Sequence, residues 1–223
     1  MTTVIWWIRR DLRLHDNPAL AQALAGADRV IPVYIFDSRL KPEFSRERFS
    51  FLIQSLKVLQ ADLLTLGSSL VIRAGDPVNE LSRLVAESGA GKICAEADYS
   101  PFALRRDEAV GSALPLTLVH GLTIHPPGSV VKGDSAPYTI FTPFRNTWLS
   151  LPLDDYEIQS PSQMQPHQIL SSIPLPDSHE NPLFPAGEAA AHHRLQDFLK
   201  SSLSRYDLDR DRPDLQSGAA DRR

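Results

Sequence analysis

A chain of 223 residues has room for one large domain, or for one of about 150 residues with an appendage. Its formal net charge of −4 argues against a DNA-coating surface, because proteins that draw affinity from phosphates usually present a basic face. Cys94 is the only cysteine, which excludes an internal disulfide. No signal-peptide pattern opens the chain and no apolar run approaches about 18 residues, so a soluble, cytoplasmic protein is expected.

Val4 to Ile8 is an unbroken apolar run, too short for a helix and suited to a central parallel strand covered on both faces. The chain then turns polar at Arg9, Arg10, Asp11 and Arg13. Asn17-Pro18 is a helix start, since Asn accepts from an orphan N–H and Pro fits the first helical position. Leu20, Ala21 and Leu24 share a face, and Gly26 can end the helix. A second strand is expected over Val30 to Phe36, ended by Asp37 and Ser38. Pro32 is awkward inside it, because proline cannot donate to a ladder, and a place at the strand's first turn or beside a bulge is expected.

Phe49, Leu52, Ile53, Leu56, Leu59, Leu63 and Leu64 follow helical spacing, closed by Gly67. Leu70 to Ile72 reads as a third strand, and Asp76-Pro77 caps a helix with Leu81, Leu84 and Val85 inward and Gly89 at its end. Gly89-Ala90-Gly91-Lys92 resembles the tail of a phosphate loop, but Ala86 stands where the required glycine belongs, so a helix-to-strand turn is expected. Ile93 to Ala95 is a fourth strand. Ser100-Pro101 caps a helix through Arg105, Arg106 and Asp107, and Leu116 to Val119 is a fifth strand. Five alternations imply an α/β fold: a doubly wound, Rossmann-like parallel five-stranded sheet of order 3-2-1-4-5, with a ligand crevice between the first and fourth strands.

Beyond Pro126-Pro127-Gly128 the alternation stops, and Thr142-Pro143 should start a short helix bearing Phe144 and Trp148. From Leu151 to Pro185 prolines and serines concentrate, which reads as an extended, weakly ordered linker. Helical character returns at Glu188 to Ser204. The expected organisation is therefore an α/β domain over 1–150, a linker over 151–185, and a helix plus tail over 186–223.

The run Arg9-Arg10-Asp11-Leu12-Arg13-Leu14, followed by Asp16-Asn17-Pro18-Ala19-Leu20, resembles the opening of the DNA photolyase/cryptochrome family. Tyr138 to Leu149, YTIFTPFRNTWL, is similar to a segment that follows that family's α/β core. Near the end, Tyr206, Arg210, Asp211 and Pro213 match the start of its FAD-binding pattern, of which Tyr206 would be a partial remnant. The Thr/Ser run that should follow is replaced by Gln216, Ser217, Gly218 and Ala219. The resemblance thus implies an antenna domain and linker cut as the FAD domain begins, by a premature stop, a frameshift or an engineered boundary. It implies an accessory pigment here, FAD only in the full-length family, and a helical FAD- and DNA-binding domain as the missing partner. Direct DNA binding and repair by this chain alone are not expected.

The resemblance also implies the pigment's walls: Phe36 and Asp37 at the end of the second strand, Arg48 and Phe51 one turn apart near the start of the second helix, and Asp98 and Pro101 after the fourth strand. DYSPFALRRD is similar to the deazaflavin-binding branch, and Arg48 and Asp98 match its polar contacts. Phe102-Ala103 stands where the folate branch would have Asn-Glu, so deazaflavin is favoured, FMN stays open and folate is disfavoured. The charges of Arg9, Arg10, Asp11 and Arg13 could equally fix a loop by ion pairs.

Other chemistry finds little support. None of the seven histidines has zinc-like spacing, no G-x-S-x-G elbow is present, no G-x-G-x-x-G follows the first strand, and Cys94 reads as inert core. No catalytic residue and no metal site is expected. The alternatives to an antenna module are a nucleotide- or flavin-binding interaction or signalling protein, and a nonfunctional fragment.

Overall fold

The computed structural model describes residues 1–40, 45–153, 158–212 and 214. Pro213 and Gln216 to Ala219, which bear on the expected FAD remnant, lie outside the described residues. The chain divides into two compact units, one of Met1–Lys41 with Asp62–Pro174, the other of Pro42–Ala61 with Leu175–Arg223.

The first unit holds β1 (Thr3–Ile8), α1 (Pro18–Ala25), β2 (Arg29–Asp37), β3 (Val71–Gly75), α3 (Pro77–Ser88), β4 (Lys92–Glu96), α4 (Pro101–Ala113), β5 (Leu116–Val119) and α5 (Phe141–Ser150). α2 (Arg46–Thr65) begins in the second unit and ends in the first. The strands form a parallel sheet of order β3-β2-β1-β4-β5, as the alternating pattern requires. β1 is central and buried on both faces from Val4 to Ile8, which explains its unbroken apolar run. Beneath one face, Ile5, Trp7, Ile31, Val33, Ile35, Val71, Ile93 and Ala95 pack with Leu81 and Leu84 of α3 and Val110 of α4.

The caps lie where the sequence puts them. Asn17 accepts from Leu20 N–H at 2.9 Å ahead of Pro18, Asp76 accepts from Val78 and Asn79, and Ser100 accepts from Ala103. Gly89 closes α3 with a left-handed φ of 69°, so the Gly-Lys stretch is a helix end leading into β4. Pro32 sits inside β2 opposite Trp6, neither at the first turn nor beside a bulge. Pairing with β3 begins only at Val33, so proline occupies a position with a ladder on one flank alone.

β3 runs further than Leu70–Ile72 predicts, because the charge that seems to end it is neutralised. Arg73 is buried and pairs with Glu87 at 2.5 Å and Glu80 at 3.9 Å. On α2, Ile53, Leu56, Leu59 and Leu63 are buried, but Leu64, expected on the same stripe, is 61% exposed. α5 begins at Phe141 behind Ile140, with no side-chain cap, rather than at Thr142-Pro143, and buries none of its residues. Phe144 meets Tyr138 edge-on at 6.3 Å and Trp148 meets His125 at 5.0 Å.

Within the first unit, residues 158–174 have neither helix nor strand yet are firmly held. Met164 is buried and its N–H donates to Leu66 O at 2.7 Å. Ser172 Oγ accepts from Ile72 N–H, and Ile173 N–H donates to Ile72 O, both on the outer edge of β3. An exposed edge strand is a template for unwanted pairing, and this strap satisfies part of it.

The second unit contains the start of α2, then α6 (Glu188–Asp197), irregular helical turns over Phe198–Arg205 and a short α7 (Tyr206–Asp209). None of the residues in these C-terminal helices is buried.

Candidate functional site

In a doubly wound sheet the strand order reverses beside the first strand, and the loops leaving the carboxyl ends there diverge into a crevice. In this sheet the reversal lies between β1 and β4. The polar turn after β1 is built around Asp11, which is almost fully buried. Its carboxylate accepts from Trp6 Nε1 at 3.3 Å, Arg9 N–H at 3.0 Å and Asn17 Nδ2 at 3.3 Å. Arg9 donates to Asp107 of α4 at 2.7 Å and to the carbonyl of Glu96, while Arg13 donates to Glu96 Oε1 at 3.2 Å. Arg9 and Arg13 therefore lock the turn onto β4 and α4, while Asp11 ties it to β1 and to the cap of α1. Arg10 alone of the three arginines projects outward, 65% exposed and 3.6 Å from Asp98.

Phe36 and Asp37 end β2, next to β1. Phe36 stacks edge-on against Tyr34 at 5.1 Å. Asp37 is held bidentately by Arg39, through Nε at 2.9 Å and Nη2 at 2.7 Å. Burial alone would raise the Asp37 carboxyl, but the Arg39 guanidinium holds it below the usual carboxylate range. Asp98 follows β4, and there too burial is outweighed, by hydrogen bonds from Ser100 and by the Arg10 charge. Pro101 occupies the first turn of α4 and is exposed. Arg48 and Phe51 belong to the second unit, where both line a cleft with the 179–186 segment. Tyr206, also in that unit, is 43% exposed and meets Phe198 edge-on at 5.9 Å.

The residue that links the first-unit group is Arg106. It is 8% exposed, and its guanidinium carbon lies 5.0 Å from the Trp7 ring centroid and 5.9 Å from that of Phe102. Nε donates to Asp107 at 2.9 Å, but Nη2 and Asp107 Oδ2 are buried without a hydrogen-bond partner among the described residues. Its charge reaches Tyr34, Asp37 and Asp98. Burial pushes the Tyr34 phenol up to about 12, so it remains neutral. Arg39 also lies over the Phe102 ring, 5.4 Å from its centroid. Leaving such donors and acceptors unmet in a dry site is costly, and a polar ligand edge is the kind of partner that meets them. Arg-Arg-Asp was visible in the sequence as part of a helix, but nothing local marked Arg106 as the inward member.

Glu96 carries the opposite strain from Asp37 and Asp98. Burial, reinforced by the Asp11 carboxylate, raises it despite Arg13. For an acid whose folded pKa is raised, stability falls as pH climbs from the unfolded value through the folded one. The depressed Asp37 and Asp98 act oppositely, their contribution being full above the ordinary Asp value and lost as pH drops through the folded value. Glu96→Gln should therefore melt no lower than the natural chain at pH 7, and should lose that advantage near pH 4. A drop of several degrees at pH 7 in a thermal melt would contradict it.

A family profile described as DNA photolyase matches residues 4–165. An uncharacterised 31.6 kDa protein of Synechococcus sp. is 30% identical over 94% of this chain and 79% of its own length. Among solved structures, a bacterial class III photolyase from Agrobacterium tumefaciens superposes with a TM-score of 0.85 at 26% identity, over 99% of this chain and 49% of that one. An archaeal photolyase from Sulfolobus tokodaii, described with two FAD molecules and the implication of a novel light-harvesting cofactor, gives 0.80 at 27% identity, over 99% and 50%. The chain spans about half the length of the curated deoxyribodipyrimidine photo-lyases it matches, corresponding to their N-terminal domain.

Proposed function

Because this chain belongs to the DNA photolyase family, we propose that its α/β unit is a light-harvesting module that holds a planar pigment at the carboxyl ends of β1, β2 and β4. The observation that carries the reading is Arg106: a buried cation with an unmet donor, flanked by Trp7 and Phe102, at the point where the strand order reverses. The pyrimidinedione edge of a flavin or deazaflavin offers carbonyl acceptors suited to that guanidinium. Phe36 and Tyr34, an edge-on pair near the end of β2, supply apolar area at the same end of the sheet, and Asp98 with Arg10 supplies a polar rim. When bound, the pigment absorbs near-UV to blue light and passes excitation onward. The residues bind it, fix its orientation and exclude water, and need move no proton.

Deazaflavin is the favoured occupant, with FMN next and folate disfavoured, on the run from Asp98 to Asp107. The two FAD molecules of the Sulfolobus tokodaii photolyase favour a flavin-type ring generally. FAD-dependent repair of pyrimidine dimers belongs, in this proposal, to a second helical body that would also contact DNA. Tyr206, half exposed on a helix that buries nothing, does not enclose a cofactor by itself. No helix among the described residues is long and apolar enough to cross a membrane, and a cytoplasmic location is part of the proposal.

Titrating the purified chain with deazaflavin, FMN and a reduced folate, each followed by absorption and fluorescence polarisation, tests the reading. Saturable binding of a flavin-type ring near one equivalent is expected, with folate weaker by at least about tenfold. Binding of none of the three would overturn the antenna reading and leave an interaction module without pigment.

A further inference from the structure

The second unit carries a separate chemical arrangement. Ser50 Oγ lies 2.8 Å from His179 Nδ1, and His179 Nε2 lies 2.8 Å from Glu47 Oε2. One imidazole therefore bridges a hydroxyl and a carboxylate, the order of groups that activates a serine nucleophile. Ser50 is at the buried end of this relay, 6% exposed, and the Glu47 side chain is at the wet end, 62% exposed.

Two features hold the relay in place. Ser50 and Glu47 are three residues apart on α2, hence neighbours on one helix surface. His179 is pinned through Ser178, whose Oγ accepts from Gln54 Nε2 at 2.7 Å and from Lys57 Nζ at 3.1 Å. The relay opens on a cleft of about 660 Å3. Phe51, Val58, Pro182, Phe184 and Pro185 give that cleft apolar walls, and Arg48 gives it a cation. This volume suits a small molecule.

We propose that Ser50 is an activated nucleophile that accepts acyl groups from small esters with an apolar acyl chain. Ser50 Oγ attacks the ester carbonyl carbon and its proton passes to His179 Nδ1. The imidazolium is then held by Glu47 through Nε2–H. Arg48, which also lines the cleft, gives it the positive charge that favours an anionic intermediate. As the ester C–O bond breaks, the proton returns to the departing alkoxide, which leaves as the alcohol. Water, deprotonated by the same imidazole, cleaves the acyl-serine to the free acid and restores the hydroxyl.

An alkyl fluorophosphonate reports the nucleophile directly, since its P–F bond breaks as the serine O–P bond forms and fluoride leaves. The full chain should gain a single phosphonyl mass, mapped by peptide sequencing to Ser50. Ser50→Ala should abolish it. His179→Gln, which keeps a polar side chain of similar reach, should slow it about 100-fold, in line with the loss of a general base. Circular dichroism of each variant separates misfolding from lost chemistry, and unmodified chain already decides the central point without any substitution. No adduct on Ser50 in the natural chain, or equal labelling rates in folded His179→Gln, would overturn the proposal.

Discussion

Asp107→Ala is expected to destabilise the chain by about 3–5 kcal/mol, the cost of breaking a buried ion pair from one side. Asp107 Oδ1 receives Arg9 at 2.7 Å and Arg106 at 2.9 Å, and all three residues are nearly buried. Its removal leaves two desolvated guanidinium groups facing each other, and they already repel, since Arg106 is among the causes that lower the Arg9 pKa, after burial itself and the opposing pull of Asp107. Total stability of a domain is typically about 5–15 kcal/mol, so the loss is a large share of it. A melting temperature lower by roughly 6–20 °C follows for a chain of this size. Glu108→Ala, exposed one position along α4, should stay within about 0.5 kcal/mol and serves as the comparison. Equal melting curves for the two variants would show that the Arg9–Asp107–Arg106 group does not hold the turn.

Arg106→Met should weaken pigment binding by roughly 10- to 150-fold, the value of a charge-assisted hydrogen bond of about 1.5–3 kcal/mol. Methionine keeps much of the apolar stem against Trp7 and Phe102 but removes the unmet donor. Asp107 retains Arg9, so the fold should survive better than in Asp107→Ala. Arg106→Lys keeps the charge without the planar fork and should fall between the two. Fluorescence titration with whichever flavin-type ring binds the natural chain measures this. An unchanged dissociation constant in Arg106→Met would move the pigment away from the carboxyl end of β1 and β4.

The sheet could be read almost directly from the chain. Short apolar runs punctuated by Asn17-Pro18, Asp76-Pro77 and Ser100-Pro101 are local signals, and local signals survive without knowledge of what packs where. The fold departs from the local cues where a long-range partner overrides them. Arg73 lengthened β3 because Glu80 and Glu87 neutralise it. Pro32 was tolerated mid-strand because pairing with β3 starts one residue later. The proline-rich segment is bound to the β3 edge through Ser172 Oγ and the Ile173 N–H, which composition does not report.

What residue order alone determined was the alternation of strands and helices, the caps and turns that separate them, and hence the parallel sheet and its crevice. Which charges serve structure and which face a ligand was decided only in three dimensions. Arg9, Arg10 and Arg13 look equivalent along the chain, yet two are tied to β4 and α4 and one is exposed. Arg106 and the Ser50–His179–Glu47 relay were equally invisible, since the latter joins residues 129 and 132 positions apart. The reason is physical: backbone periodicity is set by near neighbours, whereas the state of a charge or a hydroxyl depends on solvent exclusion and on partners that only the folded chain brings within a few ångströms.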